Sequence, residues 1–122
     1  GRHVTSADGT DCWQGQNGET PPGYLVYGPY TELRAGRYLA LFRLKRTGDG
    51  AGDVVQVDAC GKDGAVHAAR MLADRDLPLG EVRSVALTFE HPEPGGIYES
   101  RVLWTGHASV ELERVTLWKI LD

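Results

Sequence analysis

From Gly36 to Thr47 the chain alternates, with Tyr38, Ala40, Phe42 and Leu44 on one side and Leu39, Leu41, Arg43 and Lys45 on the other. A period of two belongs to a strand, because successive side chains of an extended backbone point to opposite faces. The rhythm returns in Val55, Val57 and Ala59 against Gln56, Asp58 and Cys60, and again in Val85, Leu87 and Phe89 against Ser84, Ala86 and Thr88. It recurs from Tyr98 to Trp104, where Glu99 and Arg101 face away from Val102 and Trp104. Gly-rich or Pro-rich turns separate these runs at Asp49 to Asp53, Lys62 to Gly64, Leu77 to Gly80, Pro92 to Gly96 and Gly106-His107. Short strands with turns about every 8 to 12 residues are the pattern of an antiparallel sandwich or barrel.

Further strands are expected near His3 to Ser6, at Tyr24 to Tyr27, and from Ser109 to Ile120. Ala65 to Ala73 contains good helix formers, but it is short and lies between turns, so it too is expected as a strand. The sum is about eight strands, which as two sheets with Greek-key connections make an all-β jelly-roll sandwich. One domain spans 1–122, with a first strand and long polar loop over 1–23 and the sandwich core over 24–122. A loop of that length is more often functional than idle.

Composition narrows the function classes. The 13 Lys and Arg of this 122-residue chain are scattered and the net charge is −4, so the basic stripe of a nucleic-acid binder is missing. No apolar run approaches the roughly 20 residues of a membrane helix. The chain opens without a charged segment followed by an apolar one, so a signal peptide is either absent or already removed. Cys12 and Cys60 leave two readings open, a disulfide formed in an oxidising compartment or two unrelated buried thiols.

The stretch Tyr27-Gly28-Pro29-Tyr30, Leu33, Ala35-Gly36-Arg37-Tyr38 and Phe42-Arg43 resembles the entry to jelly-roll carbohydrate-binding modules of the galactose-binding-like type. The resemblance continues through Val57-Asp58, Ala69-Arg70, Leu72, Val85, Leu87, Phe89, Glu99, Arg101-Val102 and Gly106, covering residues 27 to 120. It implies a non-catalytic sugar-binding module. Such a module would be an accessory domain of a larger polysaccharide-active or cell-surface protein, at an extracellular or cell-surface location and tethered to an enzyme domain. It also implies that structural Ca²⁺ is possible, with Asp49 and Asp53, or Asp8 and Asp11, as weak candidate ligands. The spacing of these carboxylates matches no EF-hand, and a solvated turn is the simpler account.

A sugar presents an apolar C–H face ringed by hydroxyls, so its site calls for an exposed aromatic plane beside planar polar groups. Of the ten aromatic residues, Phe42, Phe89, Tyr38 and Trp104 run in phase with apolar neighbours and are expected in the core. Trp13, Tyr24 and Tyr30 lie in or beside expected loops and are the stacking candidates, the alternative being that they cap the core. Arg43, Asp58, Glu99 and Arg101 alternate out of phase with the core and are the candidate hydrogen-bonding floor, with Gln56 beside them. The competing account of these four is a cross-strand salt-bridge ladder on a wet sheet. Trp118 is ambiguous, because Val115 and Leu117 on one side and Trp118 and Ile120 on the other make both faces of the last strand apolar. Packing against an N-terminal segment explains this most simply. An exposed apolar patch there would instead favour a second function, docking against a partner domain.

Chemistry finds little foothold. No Gly-x-Ser-x-Gly, phosphate loop, Cys-x-x-Cys or His-Glu-x-x-His occurs. Glu90, His91 and Glu93 fall in a Pro-rich turn and are expected at the surface.

Overall fold

The computed structural model describes residues 2–5, 11–15, 23–27, 31–61 and 64–121; up to Thr31, Gly15 excepted, the description is of the backbone. Ten strands are formed among the described residues. They are β1 Arg2–Thr5, β2 Asp11–Gly15, β3 Gly23–Tyr27, β4 Thr31–Leu33, β5 Gly36–Arg46, β6 Asp53–Cys60, β7 Val66–Ala73, β8 Val82–His91, β9 Gly96–Trp104 and β10 Val110–Lys119. A single turn of 3-10 helix, Asp74–Asp76, follows β7.

The strands pair antiparallel in two sheets. Sheet A runs β1-β2-β10-β5-β8; sheet B runs β3-β9-β6-β7, with β4 pairing the start of β9 beyond the end of β3. From β2 to β3, β4 to β5, β5 to β6, β7 to β8, β8 to β9 and β9 to β10 the chain crosses between sheets, which is how a jelly roll is wound. The expected sandwich is therefore present, with more strands than eight. Asp11–Gly15, assigned to the long loop, forms a strand between β1 and β10, and Thr31–Leu33 adds another. The alternation of β2 is too short, among glycines and polar residues, to stand out from a loop.

The core lies where the alternation puts it. Tyr38, Ala40, Phe42 and Leu44 of β5 and Val85, Leu87 and Phe89 of β8 face Val55, Val57 and Ala59 of β6 and Val102 and Trp104 of β9 across the sandwich. Trp104, the largest fully buried side chain among the described residues, donates its indole N–H to the carbonyl of Ala108 at 2.8 Å. A Cβ placed on Gly15 would come within 2.6 Å of its ring, so β2 needs glycine where it crosses the indole.

One irregularity governs the last strand. Val110 and Leu112 point inward, the register against β5 slips between Leu112 and Arg114, and thereafter Val115 and Leu117 pack on the core. A β-bulge of one residue reverses which parity faces inside. This is why both faces of the strand read as apolar, and it leaves Trp118 pointing outward at 57% exposure. The N-terminal strands extend sheet A edgewise through β2 and β10, so they do not supply the packing expected over Trp118.

The two tryptophans should accordingly differ when truncated. Trp104→Ala is expected to cost about 3–5 kcal/mol of stability, and Trp118→Ala less than about 0.5 kcal/mol. Urea unfolding of both variants measures the difference, and similar losses would place Trp118 in the core.

Candidate functional site

The outward faces of the two sheets differ in kind. On sheet B, Asp58 of β6 stands opposite Arg101 of β9, and Cys60 opposite Glu99. Arg101 grips Asp58 with two parallel bonds, Nε to Oδ1 at 2.8 Å and Nη2 to Oδ2 at 2.9 Å, the bidentate geometry that makes a guanidinium–carboxylate pair strong. The Cys60 thiol is free, and burial raises its pKa, partly countered by Arg101. It stays protonated and donates toward the Glu99 carbonyl at 3.6 Å and Oε1 at 3.7 Å. Glu99 Oε2 is buried with no hydrogen-bond partner. Three candidate floor residues therefore do converge, but Asp58 is 2% and Glu99 6% exposed. Arg101, its side chain 16% exposed, and the half-buried Gln56 are the more accessible members of this face. The alternation placed these side chains on the outward face and gave no sign of their burial.

The aromatic candidates are dispersed. Trp13 pairs with Leu112 in the middle of β2, and Tyr24 pairs with Leu103 on β3, one strand over from Asp58. Tyr27, not singled out from the sequence, pairs with Arg101. Tyr30 lies outside the described residues, as do Asp8 and the side chains of Asp11 and Cys12.

Sheet A presents an open face. Trp118 stands beside Leu39 and Thr116 beside Leu41 in the β10–β5 register; Thr88 and Ala86 continue the same rows on β8. The leucines are half-buried, while Thr88 and Ala86 are exposed. Charged residues bound this strip at both ends. Arg37 and Glu90 are register partners at the Trp118 end. At the other, Arg43 Nε donates to Oε2 of Glu113, in the bulge, at 2.8 Å, and Arg114 approaches the other oxygen at 3.5 Å. From Leu39 to Arg43 is four residues of strand, about 13 Å. The result is a flat, largely apolar strip with an indole at one end and charges of both signs at each end. It suits a neutral ligand carrying apolar C–H faces and hydroxyls together. Arg43 is thus the most exposed of the four floor candidates, and Trp118 is an exposed aromatic that reading loops for aromatics overlooked.

Asp49 and Asp53 are both exposed, and the Asp53 carbonyl is taken by the Thr105 hydroxyl at 2.6 Å and the His107 ring at 2.8 Å. No group of three or more His, Cys, Asp or Glu among the described residues is placed to hold a metal ion. Glu90 and Glu93 are exposed as expected, but His91 is buried, bonded to the His67 ring at 3.2 Å and to the Gly96 carbonyl at 3.0 Å. It ends β8 with an inward-pointing side chain where a surface turn was expected. No helix among the described residues is long and apolar enough to cross a membrane.

No protein family and no curated protein matches the sequence. Solved structures do match in fold. A sugar-binding protein from Bacteroides thetaiotaomicron, described as putative, superposes with a TM-score of 0.65 at 12% identity, over 98% of this chain and 80% of its own. The C-terminal family 6 carbohydrate-binding module of LamC, a marine laminarinase from Zobellia galactanivorans, gives 0.63 at 12% identity, over 97% and 87%. A carbohydrate-binding module of Cellvibrio mixtus lichenase 5A, solved in complex with cellotriose, gives 0.56 at 11%, over 98% and 91%. The chain has the β-sandwich fold of carbohydrate-binding modules.

If Arg101 and Asp58 serve mainly to hold β9 to β6, breaking the pair strands a buried carboxylate. Arg101→Met is expected to destabilise by about 3–5 kcal/mol, and Arg101→Met with Asp58→Leu by far less. A double-mutant cycle from denaturant melts checks this; additive losses would deny the coupling.

Proposed function

We propose that this domain is a non-catalytic carbohydrate-binding module that takes a neutral oligosaccharide lengthwise along the outward face of sheet A. The observation carrying this reading is Trp118, a 57%-exposed indole on an open sheet face beside the half-buried Leu39, with Arg43 ion-paired to Glu113 at the far end of the same face. An indole offers a sugar's C–H face a flat apolar partner, while Arg43, Glu113, Arg37 and Glu90 supply planar hydrogen-bonding groups for hydroxyls. A strip of about 13 Å accommodates two to three pyranose rings. The shared fold supports the reading, since one structure with that fold holds cellotriose. No step of the proposal requires a catalytic group, and the module would act by holding a tethered enzyme domain near its polysaccharide. Asp58, Glu99 and Arg101 then form an inner tie between β6 and β9.

The same exposed Trp118, with Leu39 and Leu41, favours a second reading in which the strip docks against a partner domain. The charges close to each end of the strip limit its apolar width, which suits a sugar chain better than a protein interface. Titration with neutral tri- and tetrasaccharides, followed by tryptophan fluorescence and calorimetry, separates the two. Saturable binding that Trp118→Ala weakens at least about tenfold (roughly 1.4 kcal/mol), with Arg75→Ala in the distant 3-10 turn unchanged, supports sugar binding. Silence across a broad glycan panel, or full binding by Trp118→Ala, would overturn it.

A further inference from the structure

Strand β7 is the edge of sheet B and β8 the edge of sheet A, and the two edges lie together along one side of the sandwich. At one end of this seam the chain itself joins them through the 3-10 turn and the buried Leu77. Midway, Arg70 Nη1 donates to the Ala86 carbonyl at 3.3 Å. At the far end the two strands meet through a pair of imidazoles, His67 Nε2 and His91 Nδ1, 3.2 Å apart.

We propose that the His67–His91 bond is an acid-sensitive clasp, and that acidification opens the β7–β8 edge of the sandwich. The hydrogen-bond chemistry assigns the protons. His91 Nε2 lies 3.0 Å from the Gly96 carbonyl, which can only accept, so the proton of neutral His91 is on Nε2. Its Nδ1 is left as an acceptor, and His67 must donate from its own Nε2. A first added proton can settle on His67 Nδ1 without breaking this arrangement. A proton on His91 Nδ1 removes the acceptor and sets two N–H groups against each other.

The surroundings offer little compensation. His91 is 4% exposed, and its ring meets Tyr98 edge-on. His67 stacks near Phe89, and a Cβ on Gly61 would come within 2.7 Å of its Nε2, so the backbone just after β6 presses close on the clasp. Of the charged groups packed around it, Arg37 of β5 and Glu90 of β8 line the hollow beside His67, one of each sign. Tyr98 of β9 stays neutral, its pKa pushed up to about 12 mainly by burial. Cys60 at the end of β6 remains a thiol, and Glu99 beside it faces outward. Lys62 and Asp63, next in the chain, lie outside the described residues.

The sign follows from His67, whose pKa is lowered, first by burial and then by His91. The unfolded chain binds a proton near the ordinary value of about 6.5, the folded chain only below it, so this stabilisation is complete above about pH 6.5 and declines as the pH falls.

Amide hydrogen exchange on the intact chain, corrected for intrinsic rates, tests the clasp. Between about pH 7.5 and about pH 5, bracketing the ordinary histidine pKa, protection of β7 amides should fall roughly tenfold relative to those of β5, the signature of a local opening. His91→Phe and His67→Phe, either of which removes the bond while keeping a ring, should show reduced β7 protection at the higher pH and little further change with acid. Nitrogen shifts of the wild-type imidazoles need no variant and should show Nε2–H tautomers at both residues. Constant β7 protection in the wild type, an undiminished pH dependence in both variants, or an Nδ1–H tautomer at His91 would each overturn the proposal.

Discussion

The bulge at Glu113 is the constraint on which the accessible face of this molecule depends. Before it, the even-numbered residues of β10 enter the core; after it, the odd-numbered ones do. A strand has only two faces, so one extra residue exchanges their contents completely. Without the slip, Trp118 would compete with Tyr38 and Phe89 for space inside, and Val115 and Leu117 would face water. With it, the core receives two aliphatic side chains of suitable size and the indole is delivered to the surface of sheet A. The extra residue is itself a carboxylate bonded to Arg43 on the neighbouring strand. That outward pair occupies the polar side of the irregularity, and its partial exposure keeps its direct contribution to stability to about 1 kcal/mol or less. Its larger effect is on register.

Sheet B uses the same alternation to a different end. Its outward positions hold Asp58, Glu99 and Arg101, residues that on a wet sheet would form a loose ladder of weak pairs. Here burial removes water from them, so the two-pronged Arg101–Asp58 bond becomes an obligation, since neither charge could remain there alone without several kcal/mol of cost. The unpartnered Glu99 Oε2 is the exception within this cluster, a buried acceptor whose desolvation the described residues leave uncompensated. One sheet is therefore closed on its outer side by charge pairing and the other left open around an aromatic ring. This asymmetry is the basis on which the open face of sheet A is proposed as the ligand surface.

Much of this was legible in the sequence because burial on a sheet depends on parity, and parity survives in a single chain. Tyr38, Ala40, Phe42 and Leu44 are all inside, and so are Val85, Leu87 and Phe89, as their alternation requires. Arg43, Asp58, Glu99 and Arg101 all emerged on outward positions for the same reason. Depth is another matter. Whether an outward residue meets water or another segment depends on contacts between residues far apart in the chain, and alternation carries no record of them. Asp58 and Arg43 look alike in sequence and differ in the folded chain, one sealed and one open. His91 was hidden by its setting, since a histidine beside two prolines and two glycines suggests a turn until β8 is seen to reach it.

The last strand shows where reading by parity stops. A bulge leaves no mark in residue type at Glu113, and its only trace is the apparent contradiction of a strand apolar on both faces. That contradiction pointed to a covering segment or a partner, whereas the backbone resolves it by a change of phase. An aromatic residue can therefore reach the surface from within a regular strand, with no loop to carry it. A search for sugar-stacking residues confined to loops would favour Tyr30 and pass over Trp118. A strand holds an indole more rigidly than a loop does, so less conformational freedom is lost when a ligand settles on it. For a module whose proposed task is to grip a chain of repeating, weakly distinctive units, a fixed platform is the more effective arrangement, because each stacking contact is worth little and cannot also bear the cost of ordering its own residue.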